Sequence, residues 1–284
     1  MSALRLAIII PVYDNWADTL ECLECLAAQS VKRFYVFISD DGSSECAPAT
    51  VLSYSFVCYL RSSHQGFARA CNTAAAEAIR RGFTHLLFLN NDTVFQSHFV
   101  ECLLASIEQM PLAILSPTIY FFNKPDRIWF SGGDLSVLTP FFRLRQAFHS
   151  RQRVEVLTGC ALLVPAGAWT TLIGFDENYV TYYEDYDFMM RAMKKRIKAY
   201  VLIDESLKVL HKISQTAMAQ GNWNREYRMI SSRLRFINRW FRGMSKTLCF
   251  GICALHLLYC IFRFLPSRPK LRLIQAAIRE GMSA

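Results

Sequence analysis

The chain has 284 residues, 52% of them hydrophobic and 19% charged, with a formal net charge of +9. That length supports a substantial core as one large domain or two small ones, and that composition excludes a disordered chain. The positive balance admits nucleic acid, an anionic membrane surface or a phosphorylated substrate as partners, and many of the basic residues lie between Arg191 and Arg279. Ten cysteines occur, and the N-terminal apolar run stops at Pro11 without a small-residue cleavage site. A cytoplasmic, reducing setting with thiols in the core is therefore expected.

Residues 6–10 are a β-branched apolar run, and Pro11 to Asn15 break it, so a buried strand and a loop are expected. Leu20, Leu23, Leu26 and Ala27 recur at helical spacing within 18–30. Cys22 and Cys25 in this stretch make a C-x-x-C with no second Cys/His pair at metal spacing, which fits core packing better than redox or zinc chemistry. Residues 34–38 read as a second strand ending in S-D-D-G-S-S, and 57–60 as a third, weaker one. A turn at 64–67 leads into the Ala-rich helical stretch 68–81. Residues 86–89 are too few for a helix and do not alternate, the pattern of a strand buried on both faces. They end abruptly in Asn90, Asn91 and Asp92. The repeated strand–helix–strand beat calls for a parallel sheet with right-handed crossovers.

Beyond this point, Val100, Leu103, Leu104 and Ile107 set a helix over 96–110, and 114–120 is apolar. Residues 121–153 are poorly periodic and loop-rich, with room for a hairpin over the site. Residues 154–164 read as a strand interrupted by Thr158 and Gly159, 165–172 as a short helix, 186–195 as a helix and 199–203 as a strand. Residues 223–242 are basic and amphipathic, 247–265 almost wholly apolar, and 270–282 basic and helical. The expected division is a main domain over 1–240 and an apolar and basic helical segment over 241–284.

Two strand ends carry acids, Asp40 with Asp41 and Asp92. Ligands of open α/β sheets bind just beyond the carboxyl ends of strands, where such acids suit a cation, a ribose or both. Helix capping at Asp92 and an Asp-Gly turn at Asp41 are the plainer alternatives. Glu184 and Asp185 could likewise serve only the dipole of the helix they begin.

Several segments carry a resemblance together: I-I-I-P-V-Y-D-N (8–15), S-D-D-G-S-S (39–44), H-Q-G-F-A-R-A-C-N (64–72), L-F-L-N-N-D (87–92), L-T-G-C-A-L-L-V-P (157–165), G-F-D-E (174–177), Y-Y-E-D-Y-D-F-M-M-R (182–191) and the lone His211. In this order and spacing the chain resembles the family-2 inverting glycosyltransferases of GT-A fold, especially the branch with bacterial rhamnosyltransferases. The resemblance implies a Rossmann-like α/β domain, a mostly parallel central sheet flanked by helices; the apolar and basic helical extension that follows it is expected to associate with a membrane. It implies that Pro11 and Tyr13 line the nucleotide base pocket, that Asp40 bonds the base and that Asp41 lies near the ribose. Gly66, Asn72 and Asn91 match positions on the donor side. Asn90-Asn91-Asp92 replaces the family's D-x-D, which leaves Asp92 as the one carboxylate ligand of Mg2+ or Mn2+. His211 matches a histidine near that metal or the diphosphate. Asp185 matches the catalytic base, and Thr158, Gly159 and Glu184 match acceptor or sugar positions.

The implied activity moves a sugar from a dTDP- or UDP-linked donor, with rhamnose a candidate, to a glycan or lipid-linked saccharide in cell-surface polysaccharide synthesis. Residues 247–265 approach the length of a membrane span, but His256, Arg263 and the basic flanks suit a helix lying in the interface of an anionic membrane at its inner, cytoplasmic face. A buried core helix or a dimer contact is the alternative. Nucleic acid is not an expected partner, because no nucleic-acid motif occurs and the charge accompanies an apolar face. Two rival readings are a nucleotidyltransferase, whose Gly- and Arg-rich N-terminal loop is absent from 11–15, and a non-catalytic nucleotide-sugar-binding protein.

Overall fold

The computed structural model describes residues 3–135, 142–144, 151–213, 221–264 and 268–282. The chain runs β1 (Leu6–Val12), α1 (Trp16–Ala27), β2 (Phe34–Asp40), α2 (Ala49–Leu52), β3 (Val57–Arg61), α3 (Phe67–Arg80) and β4 (His85–Leu89). Then come β5 (Thr93–Phe95), α4 (Phe99–Gln109), β6 (Ile114–Pro117), β7 (Ile119–Phe121), β8 (Lys124–Phe130), β9 (Gly133–Leu135), β10 (Phe142–Leu144), β11 (Arg151–Arg153) and β12 (Ala161–Pro165). Next are α5 (Ala166–Leu172), α6 (Glu184–Lys194), β13 (Ala199–Leu202), a 3-10 turn (Glu205–Leu207) and β14 (Val209–His211). Three helices close the chain: α7 (Gly221–Trp240), α8 (Gly243–Phe264) and α9 (Arg268–Met282).

The main sheet has the order β11-β13-β6-β12-β4-β1-β2-β3. β4, β1, β2 and β3 are parallel neighbours, as the strand–helix beat predicts. Every residue of β4 is buried, which explains its unbroken apolar run. α3 packs on β1 and β2 through buried alanines, whose small side chains allow close approach. The sheet as a whole is mixed, because β12 is antiparallel to β4 and β6, and β11 to β13. Ala161 pairs with Leu89, so β12 begins where β4 ends. No crossover helix carries the chain to the opposite edge before β12, so an antiparallel pairing results. The expected strand over 154–164 shortens accordingly, with residues 158–160 left as a connection at the carboxyl edge of the sheet.

A second sheet, β5-β14-β7-β8, stands beside that edge. Within the stretch expected to be loop-rich, β8 pairs with β7 and β10 with β9, each antiparallel, and the remainder of that reading falls partly on residues outside those described. An aromatic cluster ties α6 to β4: Phe88 stacks on Trp169 at 4.3 Å, Trp169 meets Phe175 at 4.9 Å, and Phe175 meets Phe188 of α6 at 5.5 Å. A separate core lies under the C-terminal helices. It joins Tyr179 and Tyr183 to Ile230, Leu234, Phe236 and Ile237 of α7 and to Cys249 and Cys253 of α8, across the boundary expected at residue 240.

Candidate active site

β4, β1 and β2 are adjacent and parallel, so the residues that follow them share one edge. At the β1 and β2 ends, Asp41 N–H donates to the Val12 carbonyl at 2.8 Å. Asp40 is fully buried. Its Oδ1 accepts from Ser43 N at 2.8 Å, and its Oδ2 accepts from the Tyr59 hydroxyl at 2.5 Å. Asp41 reaches the next loop, accepting from Gln65 N at 2.7 Å and Gly66 N at 2.8 Å. The His64 ring lies 2.8 Å from Asp41 Oδ2, and it faces Tyr13 with ring centroids 4.2 Å apart. Tyr13 and His64 thus face each other at the surface, with the buried Asp41 behind the His64 ring.

Three residues from the resemblance are held by the protein itself. At Gly66 the close neighbour is Val180: a Cβ would lie 2.5 Å from the Val180 carbonyl oxygen, and φ is 101°. Asn72 grips the backbone of Phe175 from both sides, accepting from its N–H at 2.9 Å and donating to its carbonyl at 2.9 Å. Its amide also donates to Glu177 at 3.0 Å. Asn91 turns toward α1, donating to Thr19 Oγ1 at 2.9 Å.

The β4 end carries the second cluster. β14 pairs with β5 so that His211 lies opposite Thr93. That register sets His211 Nε2 3.2 Å from Asp92 Oδ1 and 3.5 Å from the Asn90 amide nitrogen. The His211 ring meets Trp129 edge-on at 4.6 Å. Burial opposes charge on His211, yet the neighbouring Cys160 sulfur and Asp92 carboxylate raise its pKa to about 10. Burial also pushes up the Cys160 thiol. His211 Nδ1 is buried without a hydrogen-bond partner among the described residues.

A carboxylate oxygen and an imidazole nitrogen suit Mg2+ or Mn2+, and the imidazole favours Mn2+. Among the described residues no group of three or more His, Cys, Asp and Glu is arranged to hold a metal ion. The Asp92–His211 pair therefore fits a cation shared with ligand oxygens and water, rather than one caged by protein.

Residues 158–160 connect this cluster to the third. Asn90 N–H donates to the Cys160 carbonyl at 2.9 Å, while Gly159 N–H donates to Asp185 Oδ2 at 2.9 Å. Asp185 Oδ1 accepts from Tyr186 N at 2.8 Å, and Thr158 adds a side-chain hydrogen bond. Burial raises the Asp185 pKa, and these hydrogen bonds oppose the rise. Burial and then the Asp185 charge push Glu184 well above the usual carboxylate range. Glu184 Oε2 has no hydrogen-bond partner among the described residues. Both acids of this buried pair are thus pushed toward the protonated form, Glu184 the more strongly.

The family model Glycosyl transferase family 2 matches residues 7–166, more than half of the chain. The chain belongs to glycosyl transferase family 2. An uncharacterized glycosyltransferase of Haemophilus influenzae is 28% identical over 195 residues, covering 67% of this chain and 62% of that protein. The chain thus spans less than two thirds of that relative's length. GalNAc-T7, solved with UDP, GalNAc and Mn2+, superposes with a TM-score of 0.61 at 13% identity, covering 86% of this chain and 54% of that one. The mannosyltransferase PcManGT from Pyrobaculum calidifontis, in complex with GDP-Man and Mn2+, superposes at 0.58 and 12% identity, covering 98% and 86%. The likeness establishes a GT-A-like α/β fold for this family-2 chain.

The sequence reading missed several residues that shape the site. Cys160 follows Thr158 and Gly159 directly, so the interrupted strand was its signal. Asp187 lies one turn beyond Glu184 and is fully buried, accepting from Arg191 at 2.8 Å and from the Trp240 indole at 2.8 Å. Tyr182 and Tyr183 both take φ of 70°, a left-handed conformation that costs side chains of this size about 1–3 kcal/mol each. Arg233 of α7 donates to the Tyr183 hydroxyl at 2.9 Å. α7 therefore braces the turn that starts α6, and no local pattern announces either contact.

Proposed function

We propose that this protein is an inverting glycosyltransferase that moves a sugar from a nucleoside-diphosphate sugar to an acceptor hydroxyl. One observation carries the reading: residues 158–160 bond Asp185 on one side and the Asn90–His211–Asp92 cluster on the other. A base and a diphosphate-binding pair are then held at one sheet edge. In this reading Asp185 accepts the acceptor hydroxyl proton as the oxygen attacks the anomeric carbon. The bond to the diphosphate breaks on the opposite face, which inverts the centre. Glu184 keeps its proton and leaves a single negative charge beside the nucleophile. A divalent cation bound at Asp92 and His211 would neutralise charge on the departing diphosphate. Tyr13, Asp40 and Asp41 would take the base and ribose, since carboxylates accept from imide N–H and hydroxyl groups. The donor is a dTDP- or UDP-sugar, with rhamnose a candidate, and the acceptor a glycan or lipid-linked saccharide of cell-surface polysaccharide synthesis.

The test is incubation with Mn2+ or Mg2+, a panel of nucleotide sugars and lipid-linked or glycan acceptors. Release of nucleoside diphosphate, with an inverted anomer by NMR, is expected. Pyrophosphate release from a sugar phosphate and a nucleoside triphosphate would instead mark a nucleotidyltransferase. Donor binding without turnover on any acceptor would mark a binding protein. A retained anomer would remove Asp185 from the role of base.

A further inference from the structure

The charge of the chain is placed unevenly. Residues 221–282, which hold α7, α8 and α9, contain twelve Lys and Arg against two Asp and Glu. The remaining residues contain twenty Lys and Arg against twenty-one Asp and Glu. The last three helices therefore carry the whole positive balance of the protein.

α8 adds a second, independent feature. Cys249 and Cys253 face the core beneath the helix. On the other side Met244, Leu248, Leu255 and Leu258 are exposed, Met244 at 90% and Leu255 at 69%. Thr247, Gly251 and Ala254 are exposed between them. Their spacing of three and four residues makes one stripe along the helix. At 1.5 Å per residue the stripe is about 21 Å long. Single exposed apolar residues are ordinary, but a continuous apolar stripe marks an interaction surface. α8 contains no Asp or Glu, and Arg242 precedes its first turn.

We propose that this stripe binds an anionic phospholipid bilayer, with α8 lying flat in the headgroup region. The positive balance of the three helices draws them to anionic headgroups, and the stripe then leaves water. A second copy of the chain would cover the stripe but bring two strongly basic layers together. Nucleic acid would match the charge and leave the stripe wet. No helix among the described residues is long and apolar enough to cross a membrane, so insertion here means lying in the interface. The inference does not depend on the catalytic reading.

The experiment is flotation of the full chain with vesicles of phosphatidylcholine alone and of phosphatidylcholine mixed with phosphatidylglycerol. Wild type should partition onto the mixed vesicles at least roughly tenfold more strongly than onto neutral ones, and less so as salt is raised. Leu248→Glu with Leu255→Glu should lose roughly tenfold or more of that partition. Both positions are exposed, so circular dichroism and thermal melting should match wild type. Leu248→Gln with Leu255→Gln repeats the test without added charge and should also lose partition. Equal binding to both vesicles, or undiminished binding by both variants, would overturn the proposal. So would a dimer by light scattering that the Gln variant dissolves, which would assign the stripe to a second copy. Displacement of vesicles by duplex DNA with unchanged binding of the Gln variant would also overturn it.

Discussion

Asp185→Asn offers the sharpest test of the site. Both carboxylate oxygens accept backbone N–H bonds, from Gly159 at 2.9 Å and from Tyr186 at 2.8 Å. An amide supplies one acceptor, so its NH2 must face one of these donors whichever way it turns. One buried N–H is left unpaired, which should cost about 1–3 kcal/mol of stability. The chemical loss should be separate and larger. Removing a general base lowers turnover by roughly 10²–10⁴-fold, or about 3–5 kcal/mol of activation free energy. Nucleoside diphosphate release at saturating donor and acceptor measures that loss as kcat. Calorimetric titration of the donor should show its affinity nearly unchanged, because the lost interaction acts on the acceptor hydroxyl. Wild-type kcat/KM should fall on the acid side around a pKa above the ordinary 3.8 of aspartate, since burial raises that of Asp185. A variant that keeps kcat within about threefold would refute the assignment of the base. Lost donor affinity with intact kcat would make Asp185 a binding residue instead.

Three further outcomes follow from the same geometry. Glu184→Gln replaces a protonated acid with an isostere and should keep most activity. Its folded pKa is raised, so wild type gains stability from this group below the ordinary carboxyl range and loses it as pH rises through the raised value. The unfolding free energy of Glu184→Gln should therefore exceed that of wild type by an increasing margin at higher pH, about 1.4 kcal/mol per unit of elevation; a margin that stays flat with pH would contradict the proton assignment. Asn72→Ala removes both grips on Phe175 and should lower stability by about 2–4 kcal/mol in urea unfolding while leaving donor affinity intact. Weaker donor binding at unchanged stability would support the donor role that the resemblance implies. Asp92→Ala should abolish measurable turnover and metal-dependent donor binding, and wild type should bind Mn2+ weakly until donor is present; tight Mn2+ binding by wild type alone would show a ligand set larger than Asp92 and His211.

The parts of this site that were legible in the sequence are the local ones. An unbroken apolar run ending in Asn90-Asn91-Asp92 marks a doubly buried strand and its edge, because strand burial on both faces leaves no alternation. The same logic located β1, β2 and the acidic end of β2. Thr158 and Gly159 were visible as an interruption, and Glu184 with Asp185 as a helix start. Gly66, Asn72 and Asn91 show the limit of that legibility. Matched to the donor side, Asn72 and Asn91 are hydrogen-bonded to Phe175 and Thr19 and Gly66 packs against Val180, and which partner a residue takes is not written in its own neighbourhood.

The sequence by itself determined the alternation of buried strands and helices and the acids at the strand ends, since these depend on side chains only a few residues apart. The tertiary structure decided the rest. His211 meets Asp92 only through the β14–β5 register, and Asp185 meets Gly159 only because β12 returns antiparallel beside β4. Trp240 reaches Asp187 only when α7 packs over the α6 turn. Each of these contacts closes a long loop, and what selects it is the burial gained by whole elements rather than any preference of the residues that touch.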